Sequence, residues 1–243
     1  IGVERRSRTS GYAIKKGFFT NETENLPQII GIFFFFYTKN QSFFSIDKRE
    51  ITSSEEAGRI YGYGSPIHQI MRILRPPNAS GVGGIPTIVF PQLSSEDSTP
   101  TEKVFTISGT ATKNAVHNIV INGRENLDFQ SYNFSIAKGD SSSIIASKIT
   151  DAINNVLSCP VTAVLAGSTV TLTTKWAGIT SNELKAVFNN NFNSAGITYA
   201  NSSNVQGSGI VNIAPSLEQV SEDWVTCFIN SYGEIFFDEL EQL

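Results

Sequence analysis

The longest apolar stretch of the chain, Ile29 to Tyr37, runs through Phe33-Phe34-Phe35-Phe36 without alternating with polar residues. A strand covered on both faces has this pattern, as in the middle of an α/β sheet, so the centre of a sheet is predicted here. Downstream, Thr52-Ser53-Ser54-Glu55-Glu56 has the form of a capping box, which predicts a short helix ending near Tyr61. Ser65-Pro66 repeats the start signal, Ile67, Ile70, Met71 and Leu74 fall on one helical face, and Arg75-Pro76-Pro77 ends the element. A proline-bracketed strand is predicted over Ile85 to Pro91, after the glycine turn Gly81 to Gly84.

The texture changes after the polar run Ser95 to Pro100. Val104–Thr110, Asn118–Asn122, Leu127–Ala137 and Pro160–Trp176 are short segments rich in Thr, Val, Ile and Phe, separated by Gly or Asn turns. Ala166-Gly167-Ser168 splits the last into a hairpin. One helix interrupts the strands, with Asp140 as its expected cap and Ile145, Ile149, Ile153 and Val156 recurring on one face. Residues 190–212, rich in Asn, Ser and Gly, read as a loose connection. The α/β texture then returns, with a short helix over Pro215–Val220, an apolar strand over Trp224–Ile229 and a helix from Glu234 bearing Ile235, Phe236 and Leu240. The fold class is therefore α+β. An N-terminal arm (1–25) precedes an α/β core in two pieces (26–102 and 206–243), and the core is interrupted by a small β-sandwich with one helix (103–205).

Charge narrows the partners. Eighteen Lys and Arg against 22 Asp and Glu leave a net charge of -4, which argues against nucleic acid. The one basic cluster, Arg5, Arg6 and Arg8, has no interleaved aromatics and reads as a solvated arm. The apolar run is well short of the roughly 20 residues that cross a bilayer, so no membrane insertion is expected. Cys159 and Cys227 lack zinc or redox spacing and read as buried apolar residues in a reducing compartment. The chain starts at Ile1 without methionine and stops within a predicted helix, so both ends read as cuts or limits of an ordered region.

Candidate chemistry is sparse. His68, beside an apolar stripe, reads as an exposed or capped helix histidine, and His117 as a strand-edge residue without a nucleophile near it in sequence. Tyr61-Gly62-Tyr63-Gly64-Ser65-Pro66 lacks the spacing and lysine of a phosphate loop, as does Gly81 to Gly84, and both read as turns. Glu96, Asp97 and Glu102, and the set Asp238, Glu239 and Glu241, read as solvated surface. No catalytic, cofactor-binding or metal-binding residue is assigned, and no enzyme is expected.

The ordered series Phe105 to Thr112, Ile119 to Gly123, Gly139-Asp140, Ile145-Ala146, Ala152-Ile153-Asn154, Val161-Thr162-Ala163, Gly167 to Lys175, Ala177-Gly178 and Asn182 resembles the inserted β-sandwich of Mu-like contractile phage tail sheath proteins. Its flanks are similar to the sheath core of the same group at Leu26-Pro27-Gln28, at Tyr61 to Pro66, at Trp224 and at Asn230-Ser231-Tyr232-Gly233. The resemblance covers most of residues 10–243. Family members continue into a C-terminal part that faces the tube, and the uniform Phe33 to Phe36 departs from their pattern.

The resemblance implies a structural subunit that polymerises as stacked hexameric rings around a tail tube and contracts to drive the tube through the host envelope. It also implies a virion location, assembly in the host cytoplasm, a baseplate and tail terminator as further partners, and no cofactor. Terminal arms of the family add strands to neighbouring subunits, which points to Ile1 to Gly17 for inter-subunit contact. A sheath of a phage-derived bacteriocin or injection system fits equally. A carbohydrate-binding or adhesin module would suit the sandwich alone and calls for a row of exposed aromatics, whereas Trp176 is the one tryptophan there.

Overall fold

The computed structural model of the protein describes residues 6–7, 12–13, 30–36, 47–78, 81–93, 97–122, 129–210, 213–220 and 227–230. Its α+β architecture is built on three groups of strands and a short N-terminal hairpin. In the hairpin, β1 (Arg6–Ser7) pairs with β2 (Tyr12–Ala13). The predicted central strand is β3 (Ile30–Phe36), and it lies between two parallel neighbours, β5 (Thr87–Leu93) and β13 (Cys227–Asn230). It is thus an interior strand of its sheet, with the helix Pro66–Leu74 lying against it. The edge strand β4 (Arg49–Glu50) runs antiparallel to β5 and covers it only at Ile88 and Val89, leaving Pro91 where no ladder donor is needed.

Two helices link β3 to β5. In α1 (Ser54–Tyr61), Ser53 accepts from the Glu56 amide, and the Glu56 carboxylate reaches back to the amide and hydroxyl of Thr52. The box thus closes one residue further back than the Ser53 amide. In α2 (Pro66–Leu74), Ser65 caps the His68 amide and Pro66 opens the first turn. Ile67, Ile70 and Met71 are buried with Ile51, Ala57, Tyr61 and Val89 in a small core.

Between β5 and β13 in sequence lie the strands of the sandwich. One sheet has the order β12–β6–β10–β9 and the other β11–β7–β8, all antiparallel. Their ranges are β6 (Pro100–Ser108), β7 (Ala115–Asn122), β8 (Phe129–Ile136), β9 (Val161–Ala166), β10 (Thr169–Ala177), β11 (Lys185–Asn189) and β12 (Thr198–Val205). The helix α3 (Ser142–Asn154) packs along β8 and β9, closing one side of the sandwich and burying Ile145, Ile149 and Ile153 completely. A second, larger core joins these isoleucines to Phe105, Ile107, Ile119, Ile121 and Leu172.

Three expectations are corrected. Ser141, not Asp140, caps α3, and Asp140 instead accepts from the Ala137 amide and from Lys148 Nζ at 2.6 Å. Val156 lies beyond the end of α3 and is exposed. Residues 190–212 are not a loose connection throughout, because Thr198–Val205 forms β12, bulged at Asn201/Ser203, on the edge of β6. The short helix expected over Pro215–Val220 is α4 (Ala214–Leu217). Trp224 and the helix predicted from Glu234 lie outside the described residues.

Candidate interaction surfaces

Two sets of contacts among the described residues join the sandwich to the core. At the first, Thr99 and Ser208 pair as an antiparallel bridge, each amide donating to the other's carbonyl, at 2.9 and 3.2 Å. Inside this bridge Thr101, Ser181 and Asn182 hold Gly207, whose amide donates to Thr101 Oγ1 at 3.1 Å and to Asn182 Oδ1 at 2.7 Å. A Cβ on Gly207 would come within 2.1 Å of Ser181 Oγ, so the polar cluster leaves space only for glycine. The chain thus enters and leaves the sandwich side by side.

The second contact is made by the turn between α1 and α2. Gly62 and Gly64 have φ of 92° and 84°, the left-handed region that favours glycine. The Gly64 amide donates to His68 Nδ1 at 3.0 Å, and Gln69 Nε2 donates to the Gly64 carbonyl. This turn abuts the start of β9, where a Cβ on Gly64 would sit 2.1 Å from the Cys159 carbonyl oxygen. Lys175 of β10 reaches across and donates from Nζ to the carbonyls of Tyr63 and Leu157. Burial and the nearby Arg72 and Lys175 charges lower the His68 pKa to about 4, so its ring is neutral at physiological pH. His68 is therefore a buried acceptor for a glycine turn rather than an exposed helix histidine.

His117 is likewise fully buried, and it lies on β7, the central strand of its sheet, not at an edge. Its Nε2 faces the Asn193 carbonyl, which can only accept, so Nε2 carries the proton and Nδ1 accepts from the Tyr199 hydroxyl. Burial pushes the Tyr199 phenol up. The imidazole thus ties the loop after β11 to β12.

The remaining candidates do not converge. Cys159 is a buried free thiol whose pKa burial raises, and Cys227 falls in β13. Asp97 is exposed and Glu102 accepts from Thr173 Oγ1 at 3.5 Å. The Gly81 to Gly84 turn is gripped by Arg75, which donates to the carbonyls of Gly83 and Ile85. Arg6 lies in β1, while Arg5, Arg8, Glu96, Asp238, Glu239 and Glu241 lie outside the described residues. Among the described residues, no three His, Cys, Asp or Glu side chains gather as metal ligands, and no helix is long and apolar enough to cross a membrane.

Opposite α3 the sandwich is open, since β11 and β12 are both edge strands there. Phe188 and Tyr199 stack across the gap with ring centroids 4.3 Å apart and planes within 7°. Beside them runs a groove of about 510 Å³ lined by Val120, Val187, Phe188, Asn189, Asn190 and Tyr199. The loop that follows carries three non-glycine residues with positive φ, Asn191, Phe192 and Ala195. Asn189, Asn190 and Asn193 each accept, through the side chain, from a backbone amide two residues on, which holds this conformation. Phe192 stands fully exposed at its tip. Sequence reading passed over this surface because Asn189-Asn190-Asn191-Phe192-Asn193 has the composition of a turn. The large apolar residue amid the asparagines was the available signal.

No protein-family model matches the chain. Among curated proteins it is 25% identical over 134 residues to the Mu-like prophage FluMu tail sheath protein of Haemophilus influenzae, a match covering 55% of this chain and 26% of that protein. The matched region thus spans about a quarter of the relative's length.

Proposed function

We propose that the chain is part of a structural, non-enzymatic subunit of a contractile tail sheath. The observation that carries this reading is the similarity to a tail sheath protein, which suggests a structural role in a tail. The architecture is compatible with it, with a mainly parallel sheet whose strands β5 and β13 flank, in sequence, a sandwich of two sheets sharing one core. In this reading subunits stack as hexameric rings around a tail tube, between a baseplate and a tail terminator, in a virion assembled in the host cytoplasm. Work comes from each subunit burying more surface in a shorter, wider lattice, so no cofactor or fuel is needed.

The N-terminal segment Ile1 to Gly17 is the proposed connector. Strand addition to a neighbour needs short, extended, polar chain, and Arg6–Ser7 and Tyr12–Ala13 already lie in β conformation. The adhesin reading is weaker, because Trp176 is completely buried and so unavailable to stack on a sugar. Negative-stain electron microscopy of the protein expressed from its complete reading frame tests the proposal. Tubes of uniform diameter are expected, and deletion through Gly17 should leave folded protein that no longer forms long tubes. Dispersed particles under all assembly conditions would sink the sheath reading.

A further inference from the structure

We propose that the end of the sandwich away from the Thr99–Ser208 junction is a docking tip for an anionic lipid surface, with Phe192 entering the headgroup layer and Lys113 and Lys138 facing the phosphates. Strand register places the tip. From the junction β6 runs out to Ser108, β7 starts back at Ala115 opposite Ile136, the end of β8, and β12 starts at Thr198 opposite Ser108. The connections 109–114, 137–141 and 190–197 therefore share this end. Hydrogen bonds tie them together. The Thr112 amide donates to the Ala195 carbonyl, the Ala111 amide to the Asp140 carbonyl, the Lys138 amide to Asn114 Oδ1 and Asn193 Nδ2 to the Asn114 carbonyl.

Charge separates along the sandwich. At the tip Lys113 and Lys138 are exposed, while the carboxylate of Asp140 is held by Lys148 at 2.6 Å. The helix α3 also begins here, with no acidic residue in its first turn, so the positive end of its dipole adds to the field. The other described carboxylates of the sandwich lie away from the tip. Asp97, Glu102 and Glu183 are on the junction side, with Lys103 and Lys185 beside the last two in sequence, and Asp151 is near the far end of α3. In a chain of net charge -4 the tip is thus cationic and complements an anionic partner. Shape selects among such partners. Phe192 is fully exposed on a loop of positive φ pinned by asparagine side chains, so it stays turned outward. Val116 at the start of β7 and Ile144 in the first turn of α3 are 56% and 47% exposed. Apolar side chains on separate segments, set among asparagines and serines, suit a fluid interface that imposes no shape of its own, whereas a protein would have to match each in turn. Such a contact lies on a membrane and does not span it.

The test is co-sedimentation of the 243-residue chain with vesicles at millimolar lipid, made of phosphatidylcholine alone or mixed with phosphatidylglycerol in equal parts. Beside it run Phe192→Ser, Lys113→Glu, Lys138→Glu and, as a control with the same charge change on the junction side, Lys185→Glu. All four positions are exposed, and unchanged thermal melts will show that each variant folds. The parent should bind the mixed vesicles, bind phosphatidylcholine far less, and lose binding as salt is raised. Each tip lysine reversal should weaken partition roughly fivefold or more, and Phe192→Ser on the order of tenfold, while Lys185→Glu stays near the parent. A parent chain that ignores mixed vesicles overturns the proposal. Parent-like binding in the tip variants would assign the attraction to Arg5, Arg6 and Arg8 and overturn it too, and equal weakening by Lys185→Glu would assign it to overall charge. Retention on polyaspartate without binding to vesicles would make the partner an acidic polypeptide and likewise overturn it. The readout is binding by this chain alone, so it can fail while tubes still form, and succeed if they do not.

Discussion

Lys175 Nζ lies 3.1 Å from the carbonyl oxygen of Tyr63, joining the hairpin strand of the sandwich to the turn between the two core helices. Burial lowers the Lys175 pKa, and the ammonium donates to two backbone carbonyls, those of Tyr63 and Leu157. Replacing it with methionine keeps most of the packing but strands both acceptors. Hydrogen bonds to a charged group contribute about 1.5–3 kcal/mol, so Lys175→Met should lower stability by roughly that amount. Urea denaturation, read as a shift in midpoint at constant slope, measures it; an unchanged midpoint would mean that water replaces the lysine.

Gly64 sits at the same contact and admits no side chain. Alanine there must adopt positive φ, at a cost of about 1–3 kcal/mol, and also collide with the Cys159 carbonyl. Gly64→Ala should therefore destabilise more than Lys175→Met, while Gly83→Ala, where a Cβ meets open space, should suffer only the backbone term. Equal losses at the two glycines would show that the close approach to Cys159 is not kept in solution.

Acid should weaken the same region through His68. Its folded pKa of about 4 is below the usual 6.5, so the unfolded chain takes up the proton first. Stability is then fully present above about pH 6.5, falls as the pH drops toward 4 and is lost in full below that. Allowing for partial solvent access, the loss is on the order of 2 kcal/mol. In His68→Asn, which keeps an acceptor for the Gly64 amide, that pH dependence should vanish between pH 4 and 6.5; a variant with the parent's pH profile would assign it to another group.

Much of this architecture was legible in the sequence where a local signal coincided with a tertiary demand. Ser53, Ser65 and Pro66 mark real helix starts because unpaired first-turn amides need those groups wherever the helix packs. The uninterrupted apolar run at Ile30–Phe36 marks an interior strand of its sheet, with α2 lying against it. What failed to show were features set by distant partners. Thr198–Val205 is mostly polar and lies between Gly196 and Gly207, and it becomes a strand because β6 offers it an edge. His117 read as a strand-edge residue since nothing local reveals that Asn193 and Tyr199, more than seventy positions away, enclose its ring. The Lys175 contact was hidden for the same reason.

The Thr99–Ser208 bridge turns the excision of the sandwich into a defined experiment. With the two ends already hydrogen-bonded, a short Gly/Ser bridge from Asp97 to Gly209 spans the gap without displacing β5 or β13. The isolated segment 97–210 carries both sheets, α3 and the larger core, and should melt cooperatively. Within it, Ile149→Ala should cost about 2–5 kcal/mol, because that side chain is fully buried between α3 and the sheets. A segment that is disordered alone, together with a bridged remainder that unfolds, would mean that the two cores form one cooperative unit.

His117 offers the sharpest test of how the open side is held. The imidazole is a two-ended connector, donating to the Asn193 carbonyl and accepting from the Tyr199 hydroxyl, while its ring stands edge-on to Phe134 and Tyr199. His117→Leu fills similar space but leaves a carbonyl and a phenol without partners in a buried site, each costing about 1–3 kcal/mol. Tyr199→Phe alone removes one hydroxyl and should cost closer to ~1 kcal/mol. With both changes made, the phenol penalty disappears, so the double variant should be less destabilised than the sum of the two single variants. The loop after β11 should respond as well, since the Asn193 carbonyl is its tie to β7. Amide hydrogen exchange should accelerate across residues 190–196 in His117→Leu and in the double variant, and remain near the parent rate in Tyr199→Phe. Additive losses, or exchange that quickens equally in all three, would show that the ring acts by filling space and that the hydrogen bonds do not order the loop presenting Phe192.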